Sequence, residues 1–255
     1  MGGSLTSDLL LFFGSLVITT GLMIAVHRRL TVERRVQYNE VAGFIFAVIA
    51  AVYAVTTGLV AVTAWESLST SRTTVQSETN SLMDLYLVAA GLPQPAHTQI
   101  QTTTRQYAQT VLTSEWSLMT HHHQASPAAW TELDSMSAVL ASVHPADEGS
   151  QAALDRCLDR LQEVYDARRD RLAAAQEGLP GYLWIILITG GVVTIGFTFL
   201  FGLSTDFAQA VMVLCLTSTI ALLLLLTHEM ALPFTGVLRV RPDMFQEALD
   251  RFGGT

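Results

Sequence analysis

Four stretches of the chain run for about twenty residues without an ionisable side chain: Leu9 to Val26, Val41 to Ala64, Tyr182 to Leu203, and Phe207 to Thr227. A helix that crosses a bilayer needs about 20 mostly apolar residues, so each is a candidate span. Their spacing predicts two hairpins, the first turning at residues 27–40 and the second at Gly202 to Asp206. The first run does not read as a cleavable signal peptide. Only Asp8 precedes it and arginines follow it, the reverse of the usual order.

Between the hairpins the pattern changes to a narrow apolar stripe at helical spacing. Leu68, Val75, Leu82 and Ala89 repeat every seven residues, with Thr79 and Tyr86 in the alternate seam positions. Gly91, Pro93 and Pro95 end this helix. Ile100, Tyr107, Val111, Ser114 and Leu118 predict a second helix. Trp130, Leu133, Leu140 and Val143 predict a third, with Ser126 as N-cap and Pro127 in its first turn. Leu154, Leu158, Leu161, Tyr165, Leu172 and Leu179 predict a fourth. No segment alternates like a strand. The expected fold is therefore an all-α membrane protein: four transmembrane helices in two hairpins, with an extramembrane antiparallel helical bundle between them.

The corresponding domains are an N-terminal transmembrane hairpin over 1–65 (spans 9–26 and 41–64), the bundle over 66–180, a C-terminal transmembrane hairpin over 181–227 (spans 182–203 and 207–227), and a tail over 228–255. No breaker separates the second span from the first bundle helix, so one rod of roughly 75 Å is expected from Val41 to Gly91. Gly178, Pro180 and Gly181 predict a break before the third span.

Composition agrees with this layout. Of 255 residues, 50% are apolar and only 14% charged, and the mean hydropathy is +0.39. Those numbers argue against a soluble enzyme of one or two domains and against a disordered chain. The 14 basic residues are all Arg, and the net charge of -8 offers no field for nucleic acid. Cys157 and Cys215 read as small packing residues. Four arginines, Arg28, Arg29, Arg34 and Arg35, crowd the first turn, while none precedes the first span. Arginine-rich short loops stay in the cytoplasm and the first helix usually decides, so the bundle is expected to be extracytoplasmic; Arg168, Arg169 and Arg171 before the third span, and Arg239 and Arg241 after the fourth, argue the other way.

Catalytic chemistry is not visible: there is no phosphate loop, nucleophile elbow or cysteine pair at metal spacing. Neither an enzymatic activity nor a cofactor nor a metal is expected. His121, His122 and His123 are consecutive, share no helix face, and read as a solvated turn. The second span has a hydroxyl-bearing side at Tyr53, Thr56, Thr57 and Thr63, readable as helix packing or as a pore lining. Glu66, His228 and Glu229 stand at span ends, and with Arg28, Arg29, Arg34 and Arg35 they are the pore-mouth candidates. Spans without ionisable groups suit a passive channel better than a proton-coupled carrier. Four spans enclose no wide pore, so a channel needs an oligomer axis.

Several groups of residues, in this order and spacing, resemble the bestrophin-like family of bacterial membrane proteins. They are Val41-Ala42-Gly43, Tyr53-Ala54-Val55, Ala64-Trp65-Glu66, Glu78, Leu82, Leu85-Tyr86, Gly91-Leu92-Pro93, Tyr107, Glu115-Trp116, Arg168 to Leu172, Leu179-Pro180, Leu183-Trp184, Pro233 to Gly236, Pro242 and Phe245. The chain departs from the family pattern at Leu87 and Ser117. The resemblance implies an oligomeric ion channel, a pentamer by analogy with true bestrophins. It would conduct small anions, be lined by the second transmembrane helix, and lie in a bacterial plasma membrane. The expected partners are the lipid bilayer, further copies of the chain and small inorganic ions. A membrane-anchored helical binding or sensing module without conduction is the alternative.

Overall fold

The computed structural model describes residues 2–29, 39–122, 124–176, 178–199 and 206–253. Among these residues there are helices and no strand. The helices are α1 (Gly2–Arg29), α2 (Asn39–Val88), α3 (Ala96–Thr110), α4 (Trp116–His122), α5 (Pro127–Ala141), α6 (Glu148–Gln176), α7 (Gly181–Thr198), α8 (Asp206–Ala231) and α9 (Asp243–Gly253). A 3₁₀ turn, Ala89–Gly91, follows α2, and a π-helical turn, Val111–Glu115, joins α3 to α4.

Three helical segments are long and apolar enough to cross a membrane: Val41–Gly91, Gly181–Thr198 and Phe207–Ala231. The apolar part described within α1 is the shorter Leu10–Leu22. The expected hairpin turns fall largely on 30–38 and 200–205, outside the described residues.

Contacts divide the chain into two compact units. The first holds Met1–Ser67, Leu179–Leu232 and Gly236–Leu238. In it α1 and α7 both pack on α8. Tyr53 of α2 fills the space that Gly190 leaves on α7: a Cβ at Gly190 would stand 2.6 Å from Tyr53 Cδ2. The Tyr53 hydroxyl reaches the neighbouring Gly191, where Ile220 of α8 also closes in. Small residues admit close helix approach where no water competes for the backbone. The hydroxyls of Thr56, Thr63, Thr194, Thr219 and Thr227 donate to carbonyls four residues back on their own helices, so they stay satisfied in an apolar setting. Cys215 is exposed on α8.

The second unit holds Leu68–Gly178, Pro233–Thr235 and Arg239–Thr255. Here α3 packs on α5 and α9, and α5 packs on α6. The seam read at Leu68, Val75, Leu82 and Ala89 is fully buried, and Thr79 and Tyr86 are buried beside it. Ser126 precedes α5 and Pro127 opens it, as expected, but the Ser126 side chain makes no capping bond. Cys157 is buried, and burial pushes its thiol up to about 11. The break before Gly181 is present, with α6 ending at Gln176 and Pro180 preceding α7.

Two seams differ from the pattern expected of them. In the second bundle helix Ile100, Tyr107 and Val111 are buried as predicted, but the run then passes to Glu115 and Met119 instead of Ser114 and Leu118. The π turn at Val111–Glu115 absorbs one extra residue and rotates everything after it by one position. In α6 the buried line runs through Ala153, Cys157, Leu161, Val164, Arg168 and Arg171, while Leu158 is exposed.

Residues 243–253, read as part of a tail, form the amphipathic helix α9. Its Phe245, Ala248 and Phe252 are buried against the bundle. The Phe252 ring stacks on Tyr86 at 4.4 Å. Arg105 donates to both the Tyr86 hydroxyl and the Phe252 carbonyl.

Candidate functional site

Two features of the structure have the form of a functional device. The first is α2 itself, 50 residues without interruption, or roughly 75 Å. Its inner face is Tyr53, Thr57, Val60, Ala64, Leu68, Ser71, Val75, Glu78 and Leu82, at steps of three or four. Its outer face is Val41, Ile45, Val48, Val52, Val55, Leu59, Val62, Glu66, Thr70, Thr73, Ser77, Asn80 and Asp84. All thirteen of those outer residues are exposed. At 100° per residue they fall on one side of the helix. The outer face is aliphatic up to Val62 and then changes to hydroxyl and amide groups. A helix surface in water ordinarily carries mixed charges; here Glu66 and Asp84 are the only ones on the line.

The predicted hydroxyl side divides between these faces. Tyr53 and Thr57 belong to the inner face, and Tyr53 packs on Gly190 and Gly191. Thr56 and Thr63, seven residues apart, flank the outer face. Among the mouth candidates, Glu66 is exposed, and no hydrogen bond or ion pair holds it among the described residues. His228 is exposed with its ring edge-on to Trp184 at 5.5 Å. Glu229 is half-buried and accepts the backbone N–H of Val237 across the turn after α8. That turn contains Gly236 at φ 76°, a left-handed conformation in which a Cβ would strike the Glu229 carboxylate. Arg28 and Arg29 lie in the last turn of α1, and their side chains are outside what is described. Arg34 and Arg35 lie outside the described residues altogether. His121 is exposed at the end of α4. Among the described residues no group of three or more His, Cys, Asp or Glu side chains is placed to hold a metal ion.

The second feature is a buried ion network inside the bundle. Four fully buried charges alternate in sign: Glu78, Arg171, Glu115, Arg168. Arg171 donates from Nε to Glu78 Oε2 at 2.6 Å, and from Nη2 to Glu78 Oε1 at 3.0 Å and Glu115 Oε1 at 2.7 Å. Arg168 donates to both oxygens of Glu115, the shorter bond being 2.5 Å, and to the Ser126 carbonyl at 3.1 Å. The Tyr107 hydroxyl donates to Glu78 Oε1 at 2.7 Å, and the Ser126 N–H donates to Glu115 Oε2 at 3.0 Å. Aromatic rings cover the cations, with Trp130 4.1 Å from the Arg168 guanidinium and Trp116 and Phe245 each 5.7 Å from that of Arg171.

Pairing, not burial, sets the charge states here. Burial pushes the Glu115 carboxyl up, but the bonds and charges of Arg168 and Arg171 outweigh it and hold Glu115 below the ordinary glutamate range. Burial likewise opposes the charge of Arg171, and Glu78 more than restores it. Tyr107 is driven well above the usual phenol range by burial and by the charge of Glu78, so it remains a donor. Glu132, beside the network, is raised by burial, although the Thr110 hydroxyl donates to it at 2.6 Å. None of these residues was singled out as a site from the sequence. One signal was available: Glu78 falls three residues after Val75 and four before Leu82, on the apolar seam itself.

The Bestrophin-like domain model matches residues 13–245, nearly the whole chain. The chain belongs to the bestrophin-like family. Comparison with curated protein sequences finds no match. Among solved structures, it is similar to a leucine-to-threonine variant of a bacterial bestrophin homologue from Klebsiella pneumoniae. That match has a TM-score of 0.74 and 14% identity, and covers 96% of this chain and 99% of the other. The same homologue solved by zinc phasing gives a TM-score of 0.65 at 14% identity, covering 96% and 98%. A membrane protein solved as a glycine-to-alanine variant gives 0.72 at 13% identity, covering 94% and 98%. At such identities the likeness shows a shared fold.

Proposed function

We propose that the chain is one subunit of an oligomeric ion channel in a bacterial plasma membrane, with α2 facing the axis. The outer face of α2 carries this reading. It is apolar and free of ionisable groups from Val41 to Val62, then uncharged and polar over Thr70, Thr73, Ser77 and Asn80, along one unbroken helix. An aliphatic constriction followed by a hydroxyl- and amide-lined vestibule is a workable path for ions. Thr56 and Thr63 would stand beside that path, with Tyr53 and Thr57 behind it holding α2 to α7. Glu66 would stand at one mouth, with His228 and Glu229 at the same level and Arg28, Arg29, Arg34 and Arg35 at the other. The four apolar stretches would form two transmembrane hairpins (spans 9–26 with 41–64, and 182–203 with 207–227) around a bundle over 66–180.

Characterised bestrophins conduct anions, which makes small anions the permeant class by resemblance, and a pentamer the oligomer by analogy. The arginine-rich first turn supports an extracytoplasmic bundle. Arg168 and Arg171, beside the third span, have a role in the ion network and need no explanation as orientation signals. A C-terminal reporter active only in the cytoplasm would reverse this orientation.

The test is the mass of the full chain in mild detergent by native mass spectrometry, followed by ion flux from liposomes. A single closed ring of four or more subunits that releases ions is the expected result. A monomer or dimer without flux removes the axis and leaves the anchored binding module.

A further inference from the structure

We infer that Arg168 Nη1 and Glu132 Oε2 bind one internal water between them, a site that brings α5 into the ion network of the bundle. The network leaves one guanidinium nitrogen over. Arg168 engages Glu115 through Nε and Nη2, and the Ser126 carbonyl through Nη2, while Nη1 is buried and has no hydrogen-bond partner among the described residues. The whole side chain is fully buried, and the Trp130 ring lies 4.1 Å from its guanidinium. Glu132, on α5, mirrors it. Its Oε1 accepts from the Thr110 hydroxyl at 2.6 Å, while its Oε2 is buried and has no partner among the described residues either.

The two atoms are complementary, one a charged donor and the other a carboxylate acceptor. A buried polar atom left without a partner keeps its full desolvation cost, so such atoms are rare and call for an occupant. They belong to neighbouring side chains: the charge of Arg168 acts on Glu132, against the burial that raises its carboxyl. Both are also held from the same two segments. Ser126, just before α5, is bonded to Arg168 and Glu115, and Thr110, bonded to Glu132, stands just before the π turn that ends at Glu115. A polar pair close enough to feel each other's charge, yet not directly bonded, is where a bridging water stands. The charges decide the occupant. Chloride would meet the carboxylates of Glu132 and Glu115, and a metal cation would meet Arg168. Water is neutral, accepts from Nη1 and donates to Oε2, so it answers both atoms.

The experiment is a crystal structure of the full chain in detergent, at a resolution that shows ordered waters, with a second crystal soaked in sodium bromide. A peak within hydrogen-bond distance of both Arg168 Nη1 and Glu132 Oε2, without anomalous signal from bromide, is the expected result. The peak should persist in Glu132→Gln, whose amide keeps a polar group in place, and vanish in Glu132→Leu, which offers the water no second partner. Where Glu132→Leu does not fold, the wild-type and Glu132→Gln maps decide. A direct bond between Arg168 and Glu132 overturns the inference, as does a map in which no peak touches both atoms. A bromide signal at the site overturns water as the occupant and makes it a halide site. A peak that survives Glu132→Leu removes Glu132 from the site.

Discussion

Along its inner face α2 packs with two different chemistries. In its apolar half the contacts are Tyr53 against Gly190 and Gly191, and hydroxyls bonded to their own helices. In its polar half the same face carries Glu78, fully buried and bonded to Arg171 and Tyr107. The four apolar stretches contain no charge, whereas the interior of the second unit holds four buried ones, Glu78, Glu115, Arg168 and Arg171. A charge in hydrocarbon has little to compensate it, so membrane helices reach close contact through small residues. In the bundle, desolvation is offset by bidentate bonds and alternating sign, and the penalty falls on any variant that breaks a pair. Those bonds tie α2, α6 and the π turn into one arrangement.

The largest effect should come from Arg171→Met. It leaves Glu78 and Glu115 buried with one partner fewer, a loss of about 3–5 kcal/mol. Thermal unfolding of the detergent-solubilised protein, read by far-ultraviolet circular dichroism, should shift down sharply. Arg171→Lys should not restore it, because a lysine cannot span both carboxylates. An unchanged transition would mean that the network contributes nothing to the bundle.

Acid should act on the bundle next. The folded-state value of Glu115 lies below its unfolded one, so its stabilisation is complete above the ordinary glutamate range and is lost as pH falls through the folded value. Protection of α3–α6 amides from hydrogen exchange should therefore be lost only once the pH falls below the ordinary glutamate range. Glu115→Gln should flatten that limb. Loss of protection beginning near neutrality would contradict the assignment.

A smaller effect, about 1–3 kcal/mol, is expected in the apolar unit from Gly190→Ala, whose new methyl would overlap the Tyr53 ring. Tyr53→Leu should relieve it, giving non-additive midpoints in a double-mutant cycle. Additive midpoints would show that the two residues do not meet.

How far the sequence could be read follows from the same contrast. Apolar length alone marked Val41 to Ala64 and the other stretches, because a bilayer sets a length that composition can report. The seam at Leu68, Val75, Leu82 and Ala89 was legible because packing repeats with the helix. Arg168 and Arg171 were not legible as core, since an arginine in a polar stretch reads as surface until its carboxylate partners are known. Leu158 was misplaced on the same logic. Glu115 was hidden by the π turn, which breaks the regular period on which pattern reading depends. The tail helix was readable, since Phe245, Ala248 and Phe252 follow helical spacing, but its berth beside Tyr86 and Trp116 was not.

Sequence by itself determined the helical class, the apolar stretches, the first bundle seam and the family. These depend on local period and composition, which one chain carries at every position. Tertiary structure decided that Tyr53 and Thr57 face inward, that Glu66 stands on the outer line with Val62, and that Glu78, Glu115, Arg168 and Arg171 share one buried site. Residues 93 positions apart, as Glu78 and Arg171 are, become partners only when the chain folds, and no local pattern records which distant charge each will meet.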